Sequence, residues 1–407
     1  MRAVISVEDA LAIVAKATRP LFTEAVPLSQ AHGRVLARDV TSDVDWPPFD
    51  TSAMDGYAVQ VRDAPQTGAR LRARPGLVAA GVAPPAPLAP GETVRVMTGA
   101  PIPEGTESVV PVELVRIEGP DVVFEQPAAA GAHIRRRGES VAAGSALARA
   151  GRRVHPGIAA LAALAGRDPL EVFRRPRVRV VATGNELVPA SQRPGPGQLR
   201  DSNGPMLAAF CAEGGWPFDL AERVVDDAAS VDRLFAEAGS GEDVIITSGG
   251  VSAGDLDLLP AAAQRSGFEI LFHGVSVRPG KPIVFARRGE TLWIGLPGNP
   301  VSSAVTFHLF VRFALGRLEG EAQPGAPRVT ARLARDLKAA GARETYRDAR
   351  LAALAGELCA DPLPTRGSHD IAAHAGANAL IRQPAGQDGL ASGALVECLV
   401  TGELPRP

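Results

Sequence analysis

The chain reads as a multidomain α/β-plus-β protein: a parallel-sheet α/β domain, an all-β domain, a helical N-terminal domain and a small C-terminal β-barrel. Three patterns in its 407 residues predict this. From Arg177 to Gly320, strand-like and helix-like segments alternate, as in a parallel sheet covered on both faces. Between residues 47 and 139, short apolar runs of period two are broken by Gly and Pro. Past the Gly/Pro/Ala-rich linker Glu319–Pro327 the period-two pattern returns.

Taken in order, Ser6–Arg19 is expected to be a capped amphipathic helix, with Glu8 and Asp9 in its first turn, followed by a polar hairpin-like stretch. Its acidic start is that of an ordinary helix and not of a signal peptide, so a cytoplasmic location is expected. Thr93–Val96, Glu107–Glu113 and Asp121–Phe124 supply the β domain of residues 47–139. Residues 140–176 return to helix, chiefly Pro156–Ala165, and join residues 1–46 in one discontinuous domain. The α/β domain, 177–320, is expected to hold strands at Val178–Ala182, Asp219–Val225, Val244–Thr247 and Leu292–Leu296. Its helices are expected at Ser202–Ala212, Ser230–Ala238 and Val301–Leu315. Residues 327–407 carry barrel strands around Val329–Leu333, Asn378–Arg382 and Ala394–Val400.

Composition narrows the function. With 43 basic against 45 acidic residues, the net charge of −2 gives no support to a nucleic-acid or membrane-surface binder. The longest apolar stretch, Ile158–Ala165, is too short for a membrane span. Cys211, Cys359 and Cys398 have no paired spacing, so neither disulfides nor a zinc site is expected, and Cys211 is read as a buried small hydrophobe.

The chemistry gathers at strand exits. Thr247–Asp255 (TSGGVSAGD) and Leu292–Pro300 (LWIGLPGNP) are glycine-rich turns after buried strands. Ser248, Gly249, Gly250, Ser252 and Gly254 in the first, and Pro297, Gly298, Asn299 and Ser302 in and after the second, suit a phosphorylated ligand. Glu186, Asp226, Asp227, Asp255 and Asp257 follow strands on the same rim. Carboxylates beside phosphate make sense with a cation between them, and such oxygen donors suit Mg²⁺, although each alone could equally cap a helix. Arg278 and Lys281 flank a Pro-Gly turn and can address one anion. Asp55, before Gly-Tyr, and Thr98, at a strand exit, can present polar groups from the β domain. Arg135–Arg137 form a local basic patch.

The collinear set SAMDGYA at 52–58, MTGAPIPEG at 97–105, RRRGE at 135–139, TGNEL at 183–187, SGGVSAGD at 248–255, RPGKP at 278–282 and GLPGNPVS at 295–302 closely resembles the molybdopterin molybdenumtransferase family (MoeA and the gephyrin E domain). A Gly-Ser-His at 367–369 and an Ala-Asn-Ala-Leu-Ile at 377–381 extend the likeness to the C-terminus. The resemblance implies a homodimer of four-domain subunits, with 1–46 and 140–176 as the dimerisation domain and 177–320 as a molybdopterin-binding-like fold. It implies insertion of molybdenum from molybdate into adenylylated molybdopterin with Mg²⁺, releasing AMP, between an upstream adenylyltransferase and downstream molybdoenzymes. It assigns catalytic roles to Asp55, Thr98, Glu186, Asp226, Asp257 and Lys281, with Glu186, Asp226 and Asp257 at the metal. Asp55 and Thr98 are expected to reach the site across the dimer. Arg278, Lys281, Arg347 and Ser368 fall at its oxyanion pocket.

The chain departs from the family pattern at five positions. Asn185 and Ser140 stand where Asp is usual, Thr51 where Asn is usual, and Gly274 and Arg278 where Lys is usual. Arg for Lys keeps the charge and changes its geometry. A carrier or scaffold that binds the pterin without inserting metal is thus a second reading. A different nucleotide-dependent enzyme on the same α/β fold is a third.

Overall fold

A computed structural model describes residues 4–220, 223–225, 227–251, 258–354 and 356–403. The first helix, Val7–Ala17, starts where Ser6 accepts a hydrogen bond from the Asp9 amide at 3.0 Å. Its apolar stripe, Val7, Ala10 and Val14, is buried in the same core as the α/β sheet. The segment after it is not a local hairpin. Thr23–Val26 pairs antiparallel with the distant Leu170–Phe173, and Val40–Thr41 pairs with Ala146–Ala148. A small core of Val26, Leu36, Ile158 and Val172 closes under helix Pro156–Leu164. Burial of apolar residues on both partner strands favours this long-range pairing over a solvated hairpin.

The β domain is built on a six-stranded sheet in the order Ser108–Pro111, Gly56–Val59, Glu92–Val96, Arg70–Val78, Asp121–Phe124, Val115–Glu118, beside a two-stranded pairing of Thr51–Ser52 with Ile134–Arg135. Alternate residues feed two cores. Tyr57 and Val59 enter one, and Ala58 and Val94 the other.

The α/β sheet runs Phe218–Leu220, Val178–Ala182, Val244–Ser248, Thr291–Leu296, Val284–Arg288, Glu269–His273. The first four strands are parallel. Val284–Arg288 alone runs antiparallel to its neighbours, and Glu269–His273 beyond it runs with the first four, so the sheet is mostly parallel, as expected, with one reversed strand. Val244 and Ile246 face helix Asn203–Gly214 and the long helix from Pro300 to Leu318, whose middle turn, Phe307–Val311, is π-helical. Ile245 and Trp293 face helices Ala228–Ala236 and Leu258–Arg265. On the Asn203–Gly214 side, Cys211 is fully buried, and burial pushes its thiol pKa up to about 12.

At the C-terminus, Glu344–Leu354, Glu357–Pro362, Arg328–Leu333, Leu395–Val400 and Ala379–Gln383 close into a five-stranded barrel, the last pairing back onto the first. Val277–Arg278 joins it as a sixth strand, parallel to Glu344–Thr345. That pairing lays the basic turn of the α/β domain against the barrel and fixes where the site can form.

Candidate functional site

Two adjoining cavities meet at Pro282, Asn299 and Ser302. The first, about 440 Å³, lies between the basic turn and the barrel and is lined by Arg278, Lys281, Arg343, Arg347 and Ser368. Gly280 allows the turn its shape: φ is +114°, and a Cβ there would stand 2.4 Å from Thr306 Cγ2. The Arg278 and Lys281 side chains are exposed and make no hydrogen bond or ion pair among the described residues. Arg347 is held by Gln383 Oε1 at 2.5 Å and the Lys338 carbonyl at 3.2 Å. Burial lowers its pKa, and the charge of Arg278 lowers it further. Asp348 also lines this cavity, but its carboxylate is tied to His374 Nδ1 at 2.8 Å. The space therefore gathers positive charge whose balance must come from a ligand. Ser368 Oγ, accepting from Asn299 Nδ2 at 3.1 Å, completes the rim.

The second cavity, about 740 Å³, lies beyond the carboxyl ends of the parallel strands, where open α/β sheets bind ligands. Gly249, Gly250, Pro297, Gly298, Glu186, Asp201 and Asn203 line it. Gly249 and Gly250 have φ of +99° and +63°. A Cβ on Gly249 would come 2.6 Å from the Thr183 carbonyl, and one on Gly250 2.7 Å from Leu259 Cδ1. The turn must therefore be glycine for steric reasons as well as for ligand access. One amide expected to be open is already used, since Gly249 N–H donates to Leu296 O at 3.1 Å.

Several expectations change. Ser248, expected to meet the ligand, lines the second cavity. Its hydroxyl is also held in a buried polar knot, accepting from Asn203 Nδ2 at 2.8 Å and lying 3.4 Å from Ser303 Oγ. Asp227 is a helix cap, accepting from Ser230 N at 2.9 Å, and the Ser230 hydroxyl, followed by its amide, lowers the Asp227 carboxyl pKa. Asp226, Ser252, Gly254, Asp255 and Asp257 lie outside the described residues. Among the described residues, no group of three or more His, Cys, Asp or Glu could hold a metal. Glu186 and Asp201 are the carboxylates lining the second cavity, and the Glu186 carboxylate folds over Gly184, whose Cβ would stand 2.6 Å from Glu186 Oε2.

Asp55 and Thr98 line neither cavity of their own chain. They form a pair in which Asp55 Oδ1 accepts from Thr98 N at 2.7 Å and from Thr98 Oγ1 at 2.8 Å, lowering the carboxyl pKa. Asp55 is thus an exposed carboxylate held ionised and in fixed orientation. Gly274 has φ of +95°, so the Lys usual in the family would be strained in this conformation.

Asn203, Asp201 and Arg343 were not anticipated. The first two sit in Asp201-Ser-Asn203, read only as a helix start, and an Asn followed by Gly-Pro inside a helix is the signal that marks a polar role.

Residues 5–166 match the model of the MoeA N-terminal region (domain I and II), 179–317 that of a probable molybdopterin binding domain, and 330–401 that of the MoeA C-terminal region (domain IV). A Mycobacterium tuberculosis (strain CDC 1551 / Oshkosh) protein named molybdopterin molybdenumtransferase 2 is 37% identical over 393 residues, covering 94% of this chain and 96% of its own. The Bacillus subtilis (strain 168) molybdopterin molybdenumtransferase is 34% identical over 412 residues, covering 99% and 95%. The crystal structure of the Pyrococcus horikoshii molybdopterin biosynthesis MoeA protein superposes with a TM-score of 0.82 at 30% identity, covering 98% of this chain and 100% of that one. No helix among the described residues is long and apolar enough to cross a membrane. The chain belongs to the molybdopterin molybdenumtransferase family, transferases of molybdenum cofactor biosynthesis.

Proposed function

We propose that this protein transfers molybdenum from molybdate to adenylylated molybdopterin, cleaving the phosphoanhydride and releasing AMP. The observation that carries the reading is the meeting of the two cavities at Asn299 and Ser302: a cationic pocket opens directly onto a glycine-lined one. In this reading the pyrophosphate of the substrate lies in the cavity of Gly249, Gly250, Pro297 and Gly298, whose glycines leave the backbone open to the ligand. Molybdate, a dianion, takes the unpaired positive charge of Arg278, Lys281 and Arg347, with Ser368 as a hydroxyl partner.

The donors fit Mg²⁺, which takes one or two carboxylates together with phosphate oxygens; Glu186 and Asp201 are placed for that, and Asp226 and Asp257 are assigned to the same role by motif position. The ion supplies Lewis-acid polarisation of the P–O bond that breaks. Glu186 holds its carboxylate over Gly184 at the edge of the cavity, so it need not reorganise to meet the ligand. Asp55 and Thr98 act on the neighbouring subunit of a homodimer, because they are exposed and oriented yet line neither cavity of their own chain. The substrate then comes from an adenylyltransferase, and the product goes to molybdoenzymes. The domains are assigned as 1–46 with 140–176, 47–139, 177–320 and 327–407, with helix Val7–Ala17 of the first packed into the α/β core.

The test is AMP release from adenylylated molybdopterin by the full-length protein with Mg²⁺, with and without molybdate. Release that depends on molybdate supports the reading, and its absence with folded dimer rejects it. The glycine conformation at position 274, which removes a usual Lys, favours one second reading, a carrier that binds the pterin and does not turn it over. Tight pterin binding without AMP release would select it.

A further inference from the structure

A third cavity, about 610 Å³, opens on another part of the molecule, where Gly33, Arg153 and Arg175 meet Gly215 and Arg312 of the α/β domain. A buried charge cluster borders it. Glu319, 1% exposed, accepts through Oε2 from Trp216 Nε1 at 2.9 Å and Arg153 Nη2 at 2.7 Å. Among the described residues its other oxygen, Oε1, has no hydrogen-bond donor, and Arg175 Nε, 3.9 Å away, has no acceptor. Arg153 is fully engaged, donating also to Glu321 Oε1 at 2.9 Å and to the Gly33 carbonyl at 2.6 Å.

Arg175 is the exception in this cluster. Its guanidinium donates no hydrogen bond among the described residues, although its side chain is only 28% exposed. The group is wedged between Gly33 and Gly215, where a Cβ on either would stand 3.1 Å from Nη2. Burial lowers its pKa. Glu319 offsets part of that, and Arg34 and Arg153 push it lower again. Arg312, on the opposite wall, makes no hydrogen bond or ion pair among the described residues. His32 and His155 add ring nitrogens at the edge, and His155 Nδ1 is already occupied by Gly157 N at 3.1 Å. Of the two carboxylates lining the space, Glu321 is neutralised by Arg153 and Glu213 is exposed to solvent.

Two guanidinium groups with unused donors on one cavity define a receptor for an anion, because an Arg fork matches the oxygens of a phosphate group in paired hydrogen bonds. The volume exceeds that of a bare oxyanion and falls in the range of small-metabolite sites. We propose that this cavity is a second anion site that binds a phosphate group, free or carried by a small metabolite, through Arg175 and Arg312.

The test is calorimetric titration of the full-length protein carrying Lys281→Gln and Arg347→Gln, which silence the oxyanion pocket, with inorganic phosphate and separately with glycerol phosphate. Binding of at least one is expected to remain, and to weaken about tenfold or more on adding Arg175→Gln or Arg312→Gln. Tighter binding of glycerol phosphate assigns the site to a phosphate monoester, and equal binding assigns it to the free ion. Arg175→Gln alone, in the otherwise native chain, is expected to keep its AMP release, which separates this site from the transferase site. Absence of binding by both anions, or affinity unchanged by the substitutions, overturns the proposal. Should Arg175→Gln fail to fold, Arg312→Gln, at a side chain with no hydrogen bond or ion pair among the described residues, decides.

Discussion

Asn203 ties the two glycine turns together: its Nδ2 lies 2.8 Å from Ser248 Oγ at the first turn and 2.7 Å from the Gly298 carbonyl at the second. Ser248 Oγ in turn lies 3.3 Å from the Pro297 carbonyl. One buried amide therefore sets the spacing of the walls between which the pyrophosphate is proposed to lie. Replacing Asn203 with Leu removes this donor from both the Gly298 carbonyl and the Ser248 hydroxyl. The expected cost is about 1–3 kcal/mol in urea unfolding, with weaker pterin binding. Unchanged stability and affinity would show that the turns hold their spacing without it.

A second expectation concerns acid stability. His308 is buried, its Nδ1 has no hydrogen-bond partner among the described residues, and burial, with smaller contributions from Arg312 and His374, pulls its pKa from 6.5 down to about 3. Because the folded value is depressed, the unfolded chain binds the proton more readily. The contribution of neutral His308 is full above pH 6.5 and is lost as pH falls from there toward 3. The slope from this residue approaches about 1.4 kcal/mol per pH unit at most. Denaturant melts at several pH values should show His308→Leu with a shallower fall in that window than the native chain. Parallel falls would remove His308 as the cause.

The cross-subunit role of Asp55 predicts complementation. Asp55→Ala and Lys281→Gln each disable activity as homodimers. If one site draws Asp55 from one chain and Lys281 from the other, a mixed dimer keeps one site free of both substitutions. Random exchange should then recover roughly a quarter of native AMP release. No recovery in dimers shown to have exchanged would place both residues in a site built from a single chain.

Much of this was legible in the sequence wherever a local pattern had a local cause. The Val178–Ala182, Val244–Ser248 and Thr291–Leu296 strands are buried on both faces and read as apolar runs, and Ser6 and Pro156 mark helix starts. The motif order also brought Arg278, Lys281, Arg347 and Ser368 into one group, and they do share one cavity. What stayed hidden depended on distant partners. Thr23–Val26 looks polar because its partner, Leu170–Phe173, lies far along the chain. Glu344–Leu354, the longest barrel strand, alternates imperfectly because it pairs on both edges and carries site residues. Whether Ser248 or Asp227 faces a ligand or serves the fold is decided by Asn203 and by the Ser230 amide, and neither partner is written in the motif itself.

The central claim is that the cationic cavity between the Arg278–Lys281 turn and the barrel holds the molybdate. The most direct measurement is molybdenum anomalous scattering from crystals of the native chain soaked in molybdate, with Lys281→Gln crystals as the control. A peak within hydrogen-bonding reach of Arg278, Lys281, Arg347 and Ser368, lost or weakened in the variant, is the expected result. A peak elsewhere, with this cavity empty at saturating molybdate, would contradict it.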